Sequence, residues 1–299
     1  MPDEITTSND STEKVVVETD KTVVVSDDSN SGKKSSAGLS SQMQLLGLAK
    51  KFVLDGALIS TEKQMPLEDR ARKRERLNHL RQQQNLEAII HKAVPYCSSS
   101  EITARADQDW FNSYITLAEG VSNQIMQELW AKILAGEISK PGSFSLKALK
   151  AFRTMSINEA KLLAKACGVA VKDQSKKNIR IISGTYQTPG VLNMFDKKRQ
   201  VKINLAHWGL SYSELLVLAD NNLIFIQETE SNVMAKGETV QFSYNGIPLL
   251  LTAQKANCVL SFYKFTPIGV ELANLIADDP EQEFIDELKR QINHHFDAS

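Results

Sequence analysis

The chain has 299 residues, enough for about two domains and for a hydrophobic core that folds without staples. Its 35 Lys+Arg against 36 Asp+Glu give a formal net charge of -1, which removes the argument that a strongly basic or acidic chain offers for nucleic-acid, membrane or acidic-tail binding. Three cysteines, Cys97, Cys167 and Cys258, are odd in number and far apart, with no C-x-x-C pair, so neither a disulfide framework nor a zinc knuckle is supported and a reducing cytoplasm is the expected setting.

Met1 to Asp10 lacks the basic start and apolar run of an export signal, so none is expected. Up to Gly38 there are eight acids against four lysines, and no aromatic precedes Phe52. Residues 1–38 are therefore expected to form a disordered acidic tail, because such a segment buries too little apolar surface to offset its ordering entropy. Within it, Val15-Val16-Val17 and Val23-Val24-Val25 are strand-prone triplets that either stay solvated or add to a partner's sheet edge. The next segment, 39–64, is apolar but interrupted by Lys50, Lys51 and Asp55, which excludes a spanning helix of about 20 uncharged residues. Leu45, Leu48, Phe52 and Ile59 recur at helical spacing and predict an amphipathic helix, docked on the protein's own body in preference to a membrane.

After Pro66 no Pro or Gly occurs until Pro95, so one long helix is predicted to end near Val94. Between Arg70 and Arg81 it carries six bases, Arg70, Arg72, Lys73, Arg74, Arg76 and Arg81, against Glu75 alone. Clustered bases of this kind can track a phosphate backbone. The alternative is a solvated face, supported by Glu68 with Arg72 and Asp69 with Lys73 at i,i+4, the favourable order for surface pairs. Leu86, Ile89, Ile90, Ala93 and Val94 should dock the second half on the core.

A compact bundle of four helices follows. Asp107 caps the first and Gly120 stops it; Ser122 opens the second, with Gln127 and Glu128 among the residues facing away; Ser145 begins the third; and Ser156-x-x-Glu159 is a capping box for the fourth, to about Ala166. Trp110 and Trp130 read as core, with a ligand groove beside them as the alternative. The runs Arg81-Gln-Gln-Gln-Asn-Leu-Glu-Ala-Ile-Ile90, Asp109-Trp110, Met126-Gln-Glu-Leu-Trp-Ala-Lys-Ile-Leu-Ala-Gly-Glu-Ile138, Pro141-Gly-Ser-Phe-Ser145 and Glu159-Ala160 resemble the bacterial proteins that carry domain of unknown function 2806. The resemblance covers about 81–166 well and later segments more loosely. It implies a bacterial, cytoplasmic protein and supplies no catalytic residues.

The remainder alternates strand and helix signals. Ile179, Ile181 and Ile182 precede Gly184, and Val201, Ile203 and Leu205 alternate with polar residues. Lys172, Lys176, Lys177, Arg180, Lys197, Lys198, Arg199 and Lys202 outnumber Asp173 and Asp196, a second basic patch. Ser211-x-x-Glu214 reads as a capping box, followed by a helix ending at Asn221-Asn222 and a strand from Leu223 to Ile226. Asn245-Gly246 between alternating apolar residues predicts a hairpin, Val259 to Phe265 a strand, and Thr266-Pro267 a helix start. This order is similar to winged-helix domains. The candidate recognition helix, Ser211 to Asn222, has no Lys or Arg, which favours protein packing over groove readout. Glu271 to Ser299 carries eight acids against Lys289 and Arg290, with Phe284, Ile285, Leu288, Ile292 and Phe296 at helical spacing, and could lie across a basic patch.

The five histidines offer no nucleophile pair or ligand spacing, and no phosphate-loop, dinucleotide, zinc-protease or nucleophile-elbow motif occurs. The expectation is thus an α+β, mainly α, non-enzymatic interaction module: a tail (1–38), an amphipathic linker (39–64), a helical domain (65–168) and a winged-helix-like α+β domain with an acidic C-terminal helix (169–299). No metal or cofactor is expected. The partner is an unidentified protein; a homodimer would follow from an exposed apolar face on 39–59. The rival readings are nucleic-acid binding through Arg70, Arg72, Lys73, Arg74, Arg76, Arg81, Lys197, Lys198 and Arg199, and an enzyme without a recognisable motif.

Overall fold

In a computed structural model, residues 40–97, 105–175, 177–189, 199–277 and 279–299 are described. The tail expected over 1–38 lies outside them, as do Lys176, Lys197 and Lys198. The chain divides into two units at Asp55/Gly56.

In the first unit, Ser40 accepts a hydrogen bond from the Met43 N–H and opens α1 (Ser41–Lys51), whose last turn carries Lys50 and Lys51 against the helix dipole. The helix expected to run on to Ile59 ends here. Val53 takes a φ of 55°, a left-handed conformation that a β-branched side chain tolerates poorly and that breaks the helical backbone.

The second unit, Gly56–Ser299, is α+β. α2 (Leu67–Ala93) spans the predicted range and passes into a 3-10 turn, Val94–Tyr96, around Pro95. Its C-terminal half is anchored: Gln82 and Asn85 side-chain amides donate to the Glu119 carboxylate (2.9 Å) and carbonyl (2.8 Å), and Ile89 and Ala93 are buried. α3 (Gln108–Ala118) starts on Asp107, whose carboxylate accepts from Trp110 N–H. α4 (Gln124–Ser139) is capped by Asn123 and not Ser122, because the amide oxygen reaches both the Ile125 and Met126 N–H groups. Gln127, expected to face away, is buried, since its amide satisfies the Val121 carbonyl at 2.9 Å. α5 (Leu146–Thr154) begins at Ser145, and α6 (Ile157–Gly168) begins with the complete Ser156/Glu159 capping box. Trp110, Tyr114, Trp130 and Phe152 form a chain of ring contacts 5.3 to 5.4 Å apart between these helices. Trp130 is fully buried and Trp110 donates its indole N–H to the Phe144 carbonyl at 2.6 Å, so both are core.

Among the described residues the strands are β1 (Val171–Asp173), β2 (Ile179–Gln187), β3 (Gln200–Lys202), β4 (Thr229–Glu230), β5 (Thr239–Tyr244), β6 (Ile247–Ala253), β7 (Cys258–Lys264) and β8 (Phe296–Ala298). They form one antiparallel sheet in the order β4-β7-β2-β1-β5-β6-β8, with β3 also pairing β2. The β5–β6 hairpin turns on Asn245-Gly246, both at positive φ (43° and 88°), and its buried residues Phe242, Tyr244, Leu249 and Leu251 alternate with half-buried or exposed ones. β2 pairs β7 with a bulge at Ser183.

Three further helices complete the unit: α7 (Tyr212–Asp220), α8 (Pro267–Ala273) and α9 (Gln282–Ile292). Thr266 caps α8 as expected, accepting from the Gly269 N–H at 3.0 Å. Two local expectations fail. Ser211 does not cap α7, because its hydroxyl donates to the Glu214 carboxylate and no longer faces the backbone. Leu223 to Ile226 forms no strand but a single antiparallel bridge, Ile224 to Phe265, made by the Phe225 N–H on the Lys264 carbonyl (2.9 Å) and the Thr266 N–H on the Leu223 carbonyl (3.0 Å), so the pairing is strand-like but one residue long. Phe296 leaves the helical register of α9 and enters β8 beside β6. One cluster of buried residues runs from Ile89 on α2 through the helices and the sheet to Ile292 and Phe296.

Candidate functional site

The predicted bases on α2 do not form one surface. At 3.6 residues per turn, Arg70, Arg74 and Arg81 share one side of the helix and Arg72 and Arg76 fall nearly opposite. Arg70 is half-buried against Gly56, Arg72 is paired with Glu68 at 2.6 Å, and Arg81 donates to the Asn78 side chain. Lys73, Arg74 and Arg76 are exposed. Arg199 precedes β3, half-buried, its carbonyl accepting from the Gln187 N–H at 2.9 Å.

A different set of bases converges. α4 places Lys132, Gly136 and Ser139 at i, i+4 and i+7, a single stripe along one side, with Lys140 just past its end at the C-cap. This stripe forms one wall of a cleft of about 990 Å³. A second wall is α8, through Pro267, Val270, Glu271 and Asn274; the third comes from Ser175, Lys177 and Asn178 before β2, with Phe225 and Lys264 beside them. Tyr96 stands at the mouth, and Phe144 and Phe265, both buried, form the floor.

Each wall is fixed by a carboxylate. Glu137, 2 % exposed, points to the inner side of α4 and accepts from the N–H groups of Gly142 (2.7 Å) and Phe144 (3.0 Å), which holds the Pro141–Phe144 loop against the helix end. Gly136 lets the Phe144 ring come in: a β-carbon there would lie 2.9 Å from it. Glu271 of α8 accepts from the Ser145 N–H at 2.6 Å, at the start of α5. Asp173 accepts from Ser175 Oγ (2.8 Å) and Asn178 Nδ2 (2.6 Å) and so shapes the turn that carries Lys177. Burial acts to raise the Asp173 carboxyl, but these hydrogen bonds prevail and hold it below the usual range.

The cleft is cationic. Lys132, Lys140, Lys177 and Lys264 line it, and among the described residues none lies within ion-pair distance of a carboxylate. Glu271, the one acid among the described residues that line it, is already engaged by Ser145. The Lys132 ammonium sits 5.6 Å from the Tyr96 ring centroid, and the Tyr96 hydroxyl donates to Glu128. That hydrogen bond lowers the Glu128 carboxyl and raises the tyrosine hydroxyl. Of these bases only Lys177 belonged to a sequence patch. Lys132, Lys140 and Lys264 are single lysines in apolar surroundings, spread over more than a hundred residues, and no local pattern marks them.

Several polar groups of the sheet are paired with one another. His295, fully buried, places Nδ1 2.8 Å from Thr185 Oγ1 inside the core, a pairing that the lone histidines of the sequence did not suggest. Ser183 donates to Glu228, which also pairs with Lys202 at 2.9 Å. Among the described residues no group of three His, Cys, Asp or Glu could hold a metal, and no helix is long and apolar enough to cross a membrane. Cys97, Cys167 and Cys258 are all thiols.

A family model described as Protein of unknown function (DUF2806) matches residues 69–289. The match takes in α2 through most of α9, and therefore every residue of the cleft. No curated protein and no solved structure matches the chain.

Proposed function

The chain belongs to the DUF2806 family, and from its own residues we propose that it is a non-enzymatic module that binds another macromolecule, with nucleic acid as the partner. The observation that carries the reading is the set of four lysines around one concave site, none of them within ion-pair distance of a carboxylate among the described residues. Lysines placed this way neutralise phosphates and release counterions, and little else in the site competes for them. We take the setting to be a bacterial cytoplasm, in keeping with three unbridged cysteines.

The winged-helix likeness of 211–276 enters this reading only as element order: α7, hairpin β5–β6, strand β7, helix α8. α7 carries no base and exposes Tyr212, Leu216 and Val217, so we assign nucleic-acid contact to the cleft and leave α7 as a face for protein packing.

The test is fluorescence anisotropy of labelled duplex DNA, single-stranded DNA and RNA across a salt series. The variants are Lys140→Glu/Lys177→Glu/Lys264→Glu and Arg72→Glu/Lys73→Glu/Arg74→Glu/Arg76→Glu. The expected result is binding that weakens steeply with salt and is lost in the cleft variant, the log–log salt slope falling by about 2 for three phosphate contacts to a single strand. No binding at low salt, or unchanged binding in the cleft variant, would refute the assignment and direct the search to protein partners.

A further inference from the structure

We propose that the cleft takes single-stranded nucleic acid, with an unpaired base stacked on Phe225 and the backbone held by Lys177 and Lys264; this deepens, and rests on, the nucleic-acid reading above. The lysines alone do not choose between strand types, because phosphates are common to all. The shape of the site and its aromatic residue do.

A duplex presents its bases only at the bottom of grooves, and proteins read them with an element that projects into the groove, a helix or a β-ribbon. The lysine site is recessed between α4, α8 and the turn before β2. A recessed site receives a ligand that projects, which a splayed-out base on a flexible strand does and a closed base pair does not.

Phe225 lines this cleft while remaining 48 % exposed. Among the described residues Phe225 stacks on no other ring, and of the exposed aromatics of this unit without a ring partner, Tyr96, Tyr212 and Phe225, only Tyr96 and Phe225 line the cleft. Its position is nevertheless fixed. The Phe225 N–H donates to the Lys264 carbonyl at 2.9 Å, and the Ile224 to Phe265 bridge pins the neighbouring residues. The phenyl ring therefore sits beside the half-buried Lys264, and Lys264 pairs in register with Arg180 of β2, three residues after Lys177. The ring stands at one end of a row in which Lys264 comes next and the turn carrying Lys177 lies beyond it on the same side, so a stacking surface for the base and cations for the phosphates that follow it, the combination that single-strand binders use, share the cleft. Asn178, Asn274, Ser139 and Ser143 add donors and acceptors within the same cleft for a base edge. Tyr96 is the weaker platform, since Lys132 already occupies one face of its ring and Glu128 holds its hydroxyl.

The test uses the full chain and four probes: a fluorescein-labelled 12-mer of thymidine, the same backbone with abasic sites, a 12-base-pair duplex, and inorganic polyphosphate as competitor. Phe225→Ala is the variant, with Phe225→Trp as its aromatic counterpart; both side chains are exposed enough for the fold to survive, checked by circular dichroism and thermal melting. The thymidine strand should bind more tightly than the abasic strand and the duplex, by about five- to a hundredfold, the range of one stacked base. Phe225→Ala should bring thymidine down to the abasic level and leave the abasic affinity unchanged, and the Phe225→Trp indole should be quenched by thymidine but not by polyphosphate. Equal affinity for thymidine, abasic strand and duplex, or Phe225→Ala binding as the wild type, overturns the stacking proposal; if binding is then still lost in the Lys140/Lys177/Lys264 variant, the wider nucleic-acid reading stands. Failure of every probe to bind at low salt overturns both.

Discussion

Glu137 supports the wall of the cleft without touching its opening, and its replacement separates structural support from ligand contact. The carboxylate accepts two backbone hydrogen bonds, from Gly142 and Phe144, inside a nearly dry site. Hydrogen bonds to a charged group contribute about 1.5–3 kcal/mol each, and the Phe144 N–H, buried with its residue, would be left without an acceptor in Glu137→Ala. Opposing this, truncation relieves the desolvation of a buried charge, so the net loss is about 3–4 kcal/mol and not the full sum. For a unit of this size each kcal/mol lowers Tm by about 2–4 °C, which predicts a fall on the order of 10 °C. Glu137→Gln should cost about half as much, since its amide oxygen can keep the buried Phe144 N–H while Gly142, which is exposed, turns to water. The assay is urea and thermal unfolding followed by near-ultraviolet circular dichroism, where Trp110 reports the loop because its indole donates to the Phe144 carbonyl. A Glu137→Ala protein within about 2 °C of wild type, or a Gln variant no better than the Ala variant, would show that desolvation cancels the two bonds and would refute the reasoning.

Gly269→Ala should destabilise by about 3 kcal/mol or more, because a β-carbon on α8 would collide with the Leu223 carbonyl, backbone that cannot step aside; Gly246→Ala, with open space around it but a φ of 88°, should cost only about 1 kcal/mol, and urea titrations that rank the two the other way would refute the contrast. At low pH, the Glu159 carboxyl is held below its ordinary range by the Ser156 N–H, then by Asn221 and the Ser156 hydroxyl. A lowered carboxylate contributes stability that is present above its unfolded value and lost as pH falls through the folded one, so Glu159→Gln should flatten the acid limb of a stability–pH curve and leave the neutral-to-alkaline limb parallel to wild type. At high pH the sign reverses for Tyr186, pushed up to about 12 by burial and by its hydrogen bond to Glu230. Its folded form keeps the proton longer, so stability present below pH 10 is lost as pH rises from 10.0 towards about 12, and Tyr186→Phe should shed that part of the alkaline loss in unfolding measured across this window.

Where local backbone chemistry decides the outcome, the sequence was sufficient. Pro66 and Pro95 bound α2, Ser156 and Glu159 cap α6, Asn245-Gly246 turns the β5–β6 hairpin and Thr266-Pro267 starts α8, each because the required hydrogen bond or φ value is supplied within a few residues. The α+β class and the family resemblance were legible for the same reason. Errors arose where neighbouring groups offered alternative partners: Asn123 caps α4 in place of Ser122, Gln127 turns inward to the Val121 carbonyl, and the Ser211 hydroxyl goes to Glu214, while Leu223 to Ile226 reaches Phe265 through one bridge only. The candidate site shows the limit most clearly. The contiguous bases of α2 were visible because they are neighbours in the chain, yet a helix sends neighbours to different sides. Lys132, Lys140, Lys177, Lys264 and Phe225 are brought to one cleft by α4, the turn before β2, the loop after α7 and strand β7. Their proximity is a consequence of sheet register and helix packing, long-range terms that no window of sequence contains, and only the tertiary structure could decide it.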